Sequence, residues 1–501
     1  MAQPAGGARP YRLTKSRYVK GLICRKALWL QEHDPARASP RTPAQQRILD
    51  QGTEVGRLAT EGFRGGVLVA AAPHERERAL AETRRALASG APAVVEASFL
   101  HHRTLVRVDV LRRAAPGVWD LIEVKSTTEL KEEHLPDAAV QRFVAEGSGL
   151  RLAGVFLMHL NPGCAFPDLS NLFVLEDVRQ PVAALQPEVG GKLGDFLRLL
   201  DEPAEPRVPL GPQCTRPWEC EIMAYCWRHV PEVSVFNVPL LKSEAKAELA
   251  AAGILDIAAI PAGFPLPPIS RRFVDLYLGG RAQVDWPAIR RELEGLEFPL
   301  FFLDFETDNP AVPRFEGLHP YGQIPFQFSC HRLAADGDLR HFEYLHQDPS
   351  DPRPPLAGAL GEALGPEGTL VAYNAGFEKR VLQELAAFLG KGPLSKALEK
   401  AASRLWDLLG IFKDHYLDPA FGGSNSLKKV LPVLLPGFSY EGLEVAGGEE
   451  AQVAWERLIG LPEAEERHRL SAALRAYCRQ DSLAMVEIYR FLKARAAPQI
   501  P

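Results

Sequence analysis

The chain has 501 residues, more than one hydrophobic core can serve, so two or three domains are expected. Its composition is that of a soluble globular protein, and a net charge of −5 excludes nucleic-acid affinity through a global field. No apolar run is long enough to span a bilayer, and the N-terminus lacks the apolar core of a signal peptide. A cytoplasmic location is therefore expected, where the seven cysteines would stay reduced.

Basic charge is local instead. The first sixty residues hold eleven Arg or Lys against four Asp or Glu, and residues 1–12 read as a flexible basic arm. Thr14 is a candidate cap for a helix from Ser16 to Leu30, with Tyr18 and Trp29 among its basic residues. Pro40 and Pro43 break the chain. A second helix is expected from Ala44 to Gly62, carrying Glu54, and a third from His74 to Ala88. Three strand-like runs follow at 92–100, 103–113 and 118–126. A helix from His134 to Glu146 and strand-like runs at 152–160 and 171–176 come next.

Leu121 to Lys125 reads as a short buried strand. Glu123 and Lys125 share a face because strand side chains alternate. Asp109 lies in the preceding run and Gly117 in the turn between them, so a hairpin brings Asp109 beside both. Two carboxylates can hold a divalent cation through oxygen. A nearby ammonium can orient water or stabilise a developing phosphorane charge. Glu96 is a further acid, readable as an alternative metal ligand or as a salt-bridge partner.

This order of helix, three strands, helix and further strands resembles the restriction-endonuclease-like core of the PD-(D/E)XK superfamily. The residues that carry the likeness are Asp109, Glu123-Val124-Lys125 and Gln141. More narrowly it resembles the RecB-like branch, in which a glutamine helix follows the catalytic lysine. The resemblance implies a nuclease centre in which Asp109 and Glu123 hold Mg²⁺ or Mn²⁺. It makes Glu54 the candidate acid from the first core helix.

Cys214, Cys220 and Cys226 follow, with five residues between neighbours. Thiolates at this density suit a soft metal or an iron–sulfur cluster. Cys24, which precedes the core as the triplet follows it, is the natural fourth donor. The arrangement resembles RecB-like nucleases with an iron–sulfur staple, and implies a [4Fe–4S] cluster on Cys24, Cys214, Cys220 and Cys226. The spacing departs from the C-x2-C-x5-C of some of those relatives, which keeps zinc and plain buried thiols open. Cys164, Cys330 and Cys478 read as isolated core residues.

Residues 231–295 carry no strand pattern and read as a helical connector. Leu249 to Ile257 is helix, glycine turn, then apolar residues. It resembles a helix-hairpin-helix, and a plain helical linker fits equally. Pro261 to Pro268 makes a stiff turn.

Pro299 to Thr307 is a near-continuous apolar strand with Asp304 and Glu306 on one face. Strand-like runs follow at 324–332 and 340–345. Thr369 to Glu378 is another buried strand, entering a helix that ends near Leu389. Tyr477 and Asp481, four apart in a long helix, share a face. The set Asp-x-Glu, Asn-x-x-x-Glu and Tyr-x-x-x-Asp resembles the DEDD 3′–5′ exonucleases of the ribonuclease H-like fold, tyrosine subtype. The resemblance implies that Asp304, Glu306, Glu378 and Asp481 hold two divalent metals while Tyr477 positions the attacking water. Asn374 would hold the strand end or a substrate phosphate. Asp407 and Ser426-Leu427-Lys428-Lys429 would approach substrate. The family usually has Asp where Glu378 stands, one methylene longer.

The expected fold class is multidomain α/β. A PD-(D/E)XK nuclease-like domain covers residues 1–230, a helical connector 231–295 and a ribonuclease H-like domain 296–501. The pairing resembles a bacterial family known mainly as a domain of unknown function. It implies nuclease chemistry but no established biological role; the function expected is a metal-dependent nuclease acting on DNA, single-stranded or at ends, in repair or defence. The alternatives are a non-cleaving nucleic-acid-binding scaffold and an RNA-processing 3′–5′ exonuclease.

Overall fold

The computed structural model describes residues 11–72 and 74–497. The basic arm expected over residues 1–12 lies, save for its last two residues, outside them. The protein is α/β and divides into two compact units. Unit one runs to Arg228 and takes in Pro310–Tyr321; unit two comprises His229–Asn309 and the chain from Gly322. Among the described residues no helix is long and apolar enough to cross a membrane.

Unit one is built on seven strands: β1 (Leu13–Thr14), β2 (Val67–Leu68), β3 (Ala93–His101), β4 (Thr104–Ala115), β5 (Val118–Lys125), β6 (Arg151–Leu160) and β7 (Phe173–Asp177). Their order is β2-β3-β4-β5-β6-β7, with β1 beside β4. β3, β4 and β5 form an antiparallel meander, because the links at His102-Arg103 and Gly117 adopt positive φ and turn tightly. β5 and β6 are parallel, and the helix Leu135–Gly147 supplies the crossover such a pair requires. Trp119 and Leu121 of β5 face the core beneath that helix. Glu123 and Lys125 continue the same parity.

One strand breaks its own alternation. Glu96, in mid-strand, has a φ of 61°, in the left-handed region that non-glycine residues avoid. As a result Val94 and Ala97, three apart, face the same core, as do Val108 and Leu111 opposite them on β4. Such a conformation costs on the order of 1–3 kcal/mol and persists only where its surroundings impose it.

One helical expectation changes here, and one helix was not expected. Thr14 does cap a helix, Lys15–Ile23, by accepting a hydrogen bond from the Arg17 N–H. That helix stops at Cys24, whose backbone is extended, and resumes as Arg25–His33 instead of running unbroken to Leu30. A 23-residue helix, Arg179–Asp201, follows β7. Pro187 and three glycines inside it obscured its periodicity. The helices Pro43–Glu61 and Arg76–Ala88 lie close to their expected bounds, the first opened by a capping box between Thr42 and Gln45.

In unit two, β9 (Leu300–Asp308), β10 (Ile324–Leu333), β11 (Leu339–Leu345), β12 (Leu370–Ala372) and β13 (Leu405–Asp407) form one sheet, ordered β11-β10-β9-β12-β13. β9 is antiparallel to β10 and parallel to β12. It is buried on both faces, hence its continuous apolar run. Phe301, Leu303 and Phe305 pack on the helices Arg353–Ala363 and Gly376–Leu389. Leu300 and Phe302 pack with Met485, Ile488 and Leu492 of the helix Ala464–Ala496. Asp304 and Glu306 therefore end the face that looks at that long helix.

The region 231–295 belongs to unit two and holds the helices Ser243–Ala251, Pro268–Leu278 and Trp286–Glu294. It contributes one short strand after all. β8 (Gln283–Val284) pairs with β14 (Tyr416–Leu417). The helix-hairpin-helix is not formed. Beyond Gly253 the chain makes a single 3₁₀ turn, Ile257–Ala259, because the prolines from 261 onward end it.

Candidate functional site

Two separate clusters gather the residues singled out above. In unit one, Val110 pairs with Ile122, which sets Asp109 next to Glu123 across the β4–β5 ladder. Glu123 is 1% exposed. Its Oε1 accepts from Lys125 Nζ at 2.9 Å and Lys15 Nζ at 2.5 Å, and its Oε2 from Gln141 Nε2 at 2.6 Å. Lys125 also donates to Asp137, one turn before Gln141. Asp109 Oδ2 accepts the Val124 N–H at 2.7 Å.

These contacts split the two acids. Burial works against a charged Glu123, yet Lys15 and Lys125 outweigh it and hold the carboxyl far below its ordinary value. Burial, joined by the charge of Glu123, pushes Asp109 up to about 7. Burial also opposes the Lys15 ammonium, but Glu123, Asp109 and Asp137 keep it protonated. Gln141 Oε1 is buried with no hydrogen-bond partner.

Lys15 escaped the sequence reading. A signal was present: a lysine in the first position of a helix, with no acid in that first turn, faces the positive end of the macrodipole. Such a lysine is held by something outside its own helix, here Glu123. Glu54 is not brought to this cluster. It sits on the exposed face of its helix while Val55 is buried, and it is Gly52 that faces Ser126. Glu96 pairs with Arg107 at 2.6 Å, the salt-bridge reading.

The four cysteines of the proposed quartet are free thiols that share one electrostatic neighbourhood. Cys24 occupies the break between two helices. Cys214 ends a 3₁₀ turn, and its carbonyl accepts from the Cys220 N–H at 3.0 Å. Cys226 lies in the short helix Met223–Trp227. Burial raises three of these thiols, Cys220 to about 11, while Lys26 pulls Cys24 and Cys226 down. Thiols are donors suited to zinc or an iron–sulfur cluster, but among the described residues the metal-ligating atoms that gather within 4.8 Å of one another are those of Asp304, Glu306 and Cys478, not these sulfurs.

In unit two, Asp304, Glu306, Glu378 and Asp481 come from β9 and two helices. The last three are 7%, 4% and 7% exposed. Burial raises all four, and mutual repulsion adds to it for Asp304 and Glu306. Glu306 is pushed up to about 8 by burial and then by Asp481. Glu378 reaches about 8 through burial and Asp407. Glu378 Oε2 is buried without a hydrogen-bond partner. An orphaned oxygen among crowded carboxylates fits divalent cations.

Asp481 is held from two sides. Tyr440 donates its hydroxyl to Asp481 Oδ1, and Tyr477 bonds the same carboxylate. Lys428 lies 5.4 Å from the Tyr440 ring centroid and 5.2 Å from that of Tyr477, and draws Glu306 and Asp481 down. Cys478, read from sequence as an isolated core residue, is buried, but its Sγ lies 3.4 Å from Asp304 Oδ2. The ligand atoms of Asp304, Glu306 and Cys478 all lie within 4.8 Å of one another. Tyr440 sits in a loop whose approach to Asp481 is tertiary, and no local pattern signalled it. Asn374, at φ 71°, donates its backbone N–H to Asp407 Oδ1 at 2.9 Å. Asp407 thereby fixes the turn after β12 and also accepts from the Leu409 N–H.

Similarity to other sequences reaches only part of the chain. A domain of unknown function, DUF2779, matches residues 301–426, the stretch with Asp304, Glu306 and Glu378. Over 210 residues the chain is 28% identical to an uncharacterized protein of Mycoplasma pneumoniae, the MG366 homolog. That covers 38% of this chain and 32% of that protein. It is 29% identical over 212 residues to uncharacterized protein MG366 of Mycoplasma genitalium, again 38% of this chain and 32% of that one. Uncharacterized protein UU173 of Ureaplasma parvum is 24% identical over 246 residues, 45% of this chain and 35% of that protein. The chain thus spans about a third of the length of the curated relatives it matches. They are bacterial proteins of unknown function.

Proposed function

We propose that the chain is a metal-dependent nuclease that hydrolyses phosphodiester bonds of DNA, single-stranded or at ends, with one catalytic centre in each unit. The observation that carries this reading is the approach of Asp304 and Glu306, whose ligand atoms lie within 4.8 Å of each other and of Cys478, in the charge field of the buried Glu378 and Asp481. The strand order of unit two, third-second-first-fourth-fifth, supports the ribonuclease H-like reading. In unit one, the meander followed by a helical crossover to a parallel strand supports the PD-(D/E)XK reading.

The roles follow from the contacts. In unit two the four carboxylates would hold Mg²⁺ or Mn²⁺, Tyr440 fixes Asp481, and Tyr477 orients water at the same carboxylate. In unit one Asp109 and Glu123 would hold the cation. Gln141 fixes the Glu123 oxygen it touches, and Lys125 orients the attacking water. A bound divalent cation supplies Lewis acidity toward the phosphate and lowers the pKa of water. Cys24, Cys214, Cys220 and Cys226 would carry a [4Fe–4S] cluster that ties the start of unit one to its end. Zinc is the other group that fits these thiols.

The test is a substrate panel. Labelled single-stranded DNA, duplex DNA and RNA are incubated with Mg²⁺ or Mn²⁺. DNA is cleaved, and Lys125→Ala and Asp304→Ala each remove part of that activity. Cleavage of none of the three contradicts the reading and favours a binding scaffold.

A further inference from the structure

Beside Asp109 lies a cavity of about 340 Å³, between the helices Lys15–Ile23 and Arg76–Ala88 and the strands β3 and β4. Its charged lining is Lys15, Arg76, Arg107, Glu96 and Asp109. Two of the three cations are committed. Lys15 serves Glu123 at 2.5 Å. Arg107 pairs with Glu96 and donates to the carbonyls of Val69 and Ala71 at 3.1 and 3.2 Å.

Arg76 is different. Among the described residues it has no carboxylate partner. Its Nε is buried with no hydrogen-bond acceptor, and its guanidinium lies 4.7 Å from the centroid of the Tyr11 ring, which also lines the cavity. Arg76 is half-exposed and only this Nε is buried, so an anion entering the cavity would give that nitrogen the acceptor it lacks. The same space meets the start of the helix Lys15–Ile23, where Thr14 and Ser16 add hydroxyls and no acid stands in the first turn. Helix N-termini favour anions for the same electrostatic reason.

We propose that this cavity seats the terminal phosphate of a nucleic-acid strand, with Arg76 as the group that distinguishes a phosphorylated end from a hydroxyl end. The proposal rests on the reading of unit one as a phosphodiester-cleaving centre, since the anion next to Asp109 is then a phosphate of the strand. A terminal monoester suits the seat better than an internal diester. It carries up to two charges and three free oxygens, which a planar guanidinium can take two at a time. A volume near the lower end of the ~300–1,000 Å³ range for ligand pockets suits one end nucleotide and not a duplex. Arg76 belongs to substrate binding here; Asp109, Glu123 and Lys125 remain the groups at the reacting phosphate.

The experiment measures binding of fluorescent single strands bearing a 5′-phosphate, a 3′-phosphate or hydroxyls at both ends, in EDTA so that no strand is cut. One phosphorylated end binds about tenfold tighter than the hydroxyl strand, the size of one charge-assisted contact. Which end it is assigns the polarity. Arg76→Ala loses the preference at an unchanged melting temperature, and Arg76→Lys, which keeps a point charge, retains part of it. Equal binding of all three strands, or a preference that survives Arg76→Ala, overturns the proposal. Cleavage with Mg²⁺ is read separately. Cutting without an end preference removes the seat and leaves the nuclease reading. An end preference without cutting removes the nuclease reading and leaves an anion seat.

Discussion

In unit one the buried carboxylate of Glu123 is met by the ammoniums of Lys15 and Lys125 and the amide of Gln141. In unit two, Asp304, Glu306 and Asp481 face one another, with exposed Lys428 the cation that draws two of them down. The first centre carries its counter-charges as side chains. The second, on the proposed reading, takes them from bound divalent cations. The difference shows in the acids: Glu123 is held ionised far below its ordinary value, whereas Glu306 and Glu378 are pushed up to about 8. Glu123 and the acids of unit two thus respond to protons with opposite sign.

The largest effect that would break this contrast is on stability. Glu123→Gln leaves two ammoniums buried without their carboxylate and should destabilise unit one by about 3–5 kcal/mol, as for other broken buried pairs. Asp304→Asn relieves repulsion and should raise the melting temperature of the metal-free protein. Denaturation with hydrogen exchange assigned to each unit checks both; equal signs would remove the comparison. On activity, Asp304→Asn in a Lys125→Ala background should lower the remaining cleavage by at least about 100-fold, above what loss of an outer-shell partner costs.

pH sharpens the same point. A carboxyl whose folded pKa is raised binds its proton more tightly in the folded state. Its contribution is therefore lost as pH rises from the unfolded value to the folded one. For Glu306 and Glu378 that window runs from about 4.5 to about 8. Asp109 rises only to about 7, and Glu123 contributes in the opposite sense, losing stability as pH falls below about 4.5. Between pH 7 and 9 the metal-free protein should thus lose stability mainly in unit two, and Mn²⁺ should restore it. Melting curves with and without Mn²⁺ decide.

Smaller effects come from the supporting groups. Lys15→Met should weaken the activity of unit one by about tenfold, measured in an Asp304→Asn background. Tyr440→Phe removes one hydrogen bond to Asp481, worth about 0.5–1.5 kcal/mol, and should weaken Mn²⁺ binding by about tenfold or less.

Much of the strand framework could be read from the chain, because local patterns dictate it. The continuous apolar run from Leu300 to Phe305 is what a strand buried on both faces looks like, and period-two alternation put Asp304 with Glu306 and Glu123 with Lys125. What was not legible is tertiary or breaks a local rule. Lys15 lies over a hundred positions from Glu123, and Tyr440 reaches Asp481 from a loop. The left-handed Glu96 flips the parity of β3, which alternation cannot foresee. Cys478 has a core residue's burial, so only its 3.4 Å approach to Asp304 distinguishes it. Cys24 breaks a helix that its neighbours would continue.

Cation binding by unit two is the property on which the two-centre reading rests. Calorimetric titration of Mn²⁺ into metal-stripped protein near pH 7.5, in two buffers of different ionisation enthalpy, counts the protons displaced. Binding should release protons, because Glu306 and Glu378 hold them up to about 8, and the signal should be lost in Asp304→Asn. Mn²⁺ binding without proton release, or binding indifferent to Asp304→Asn, would contradict the two-centre reading.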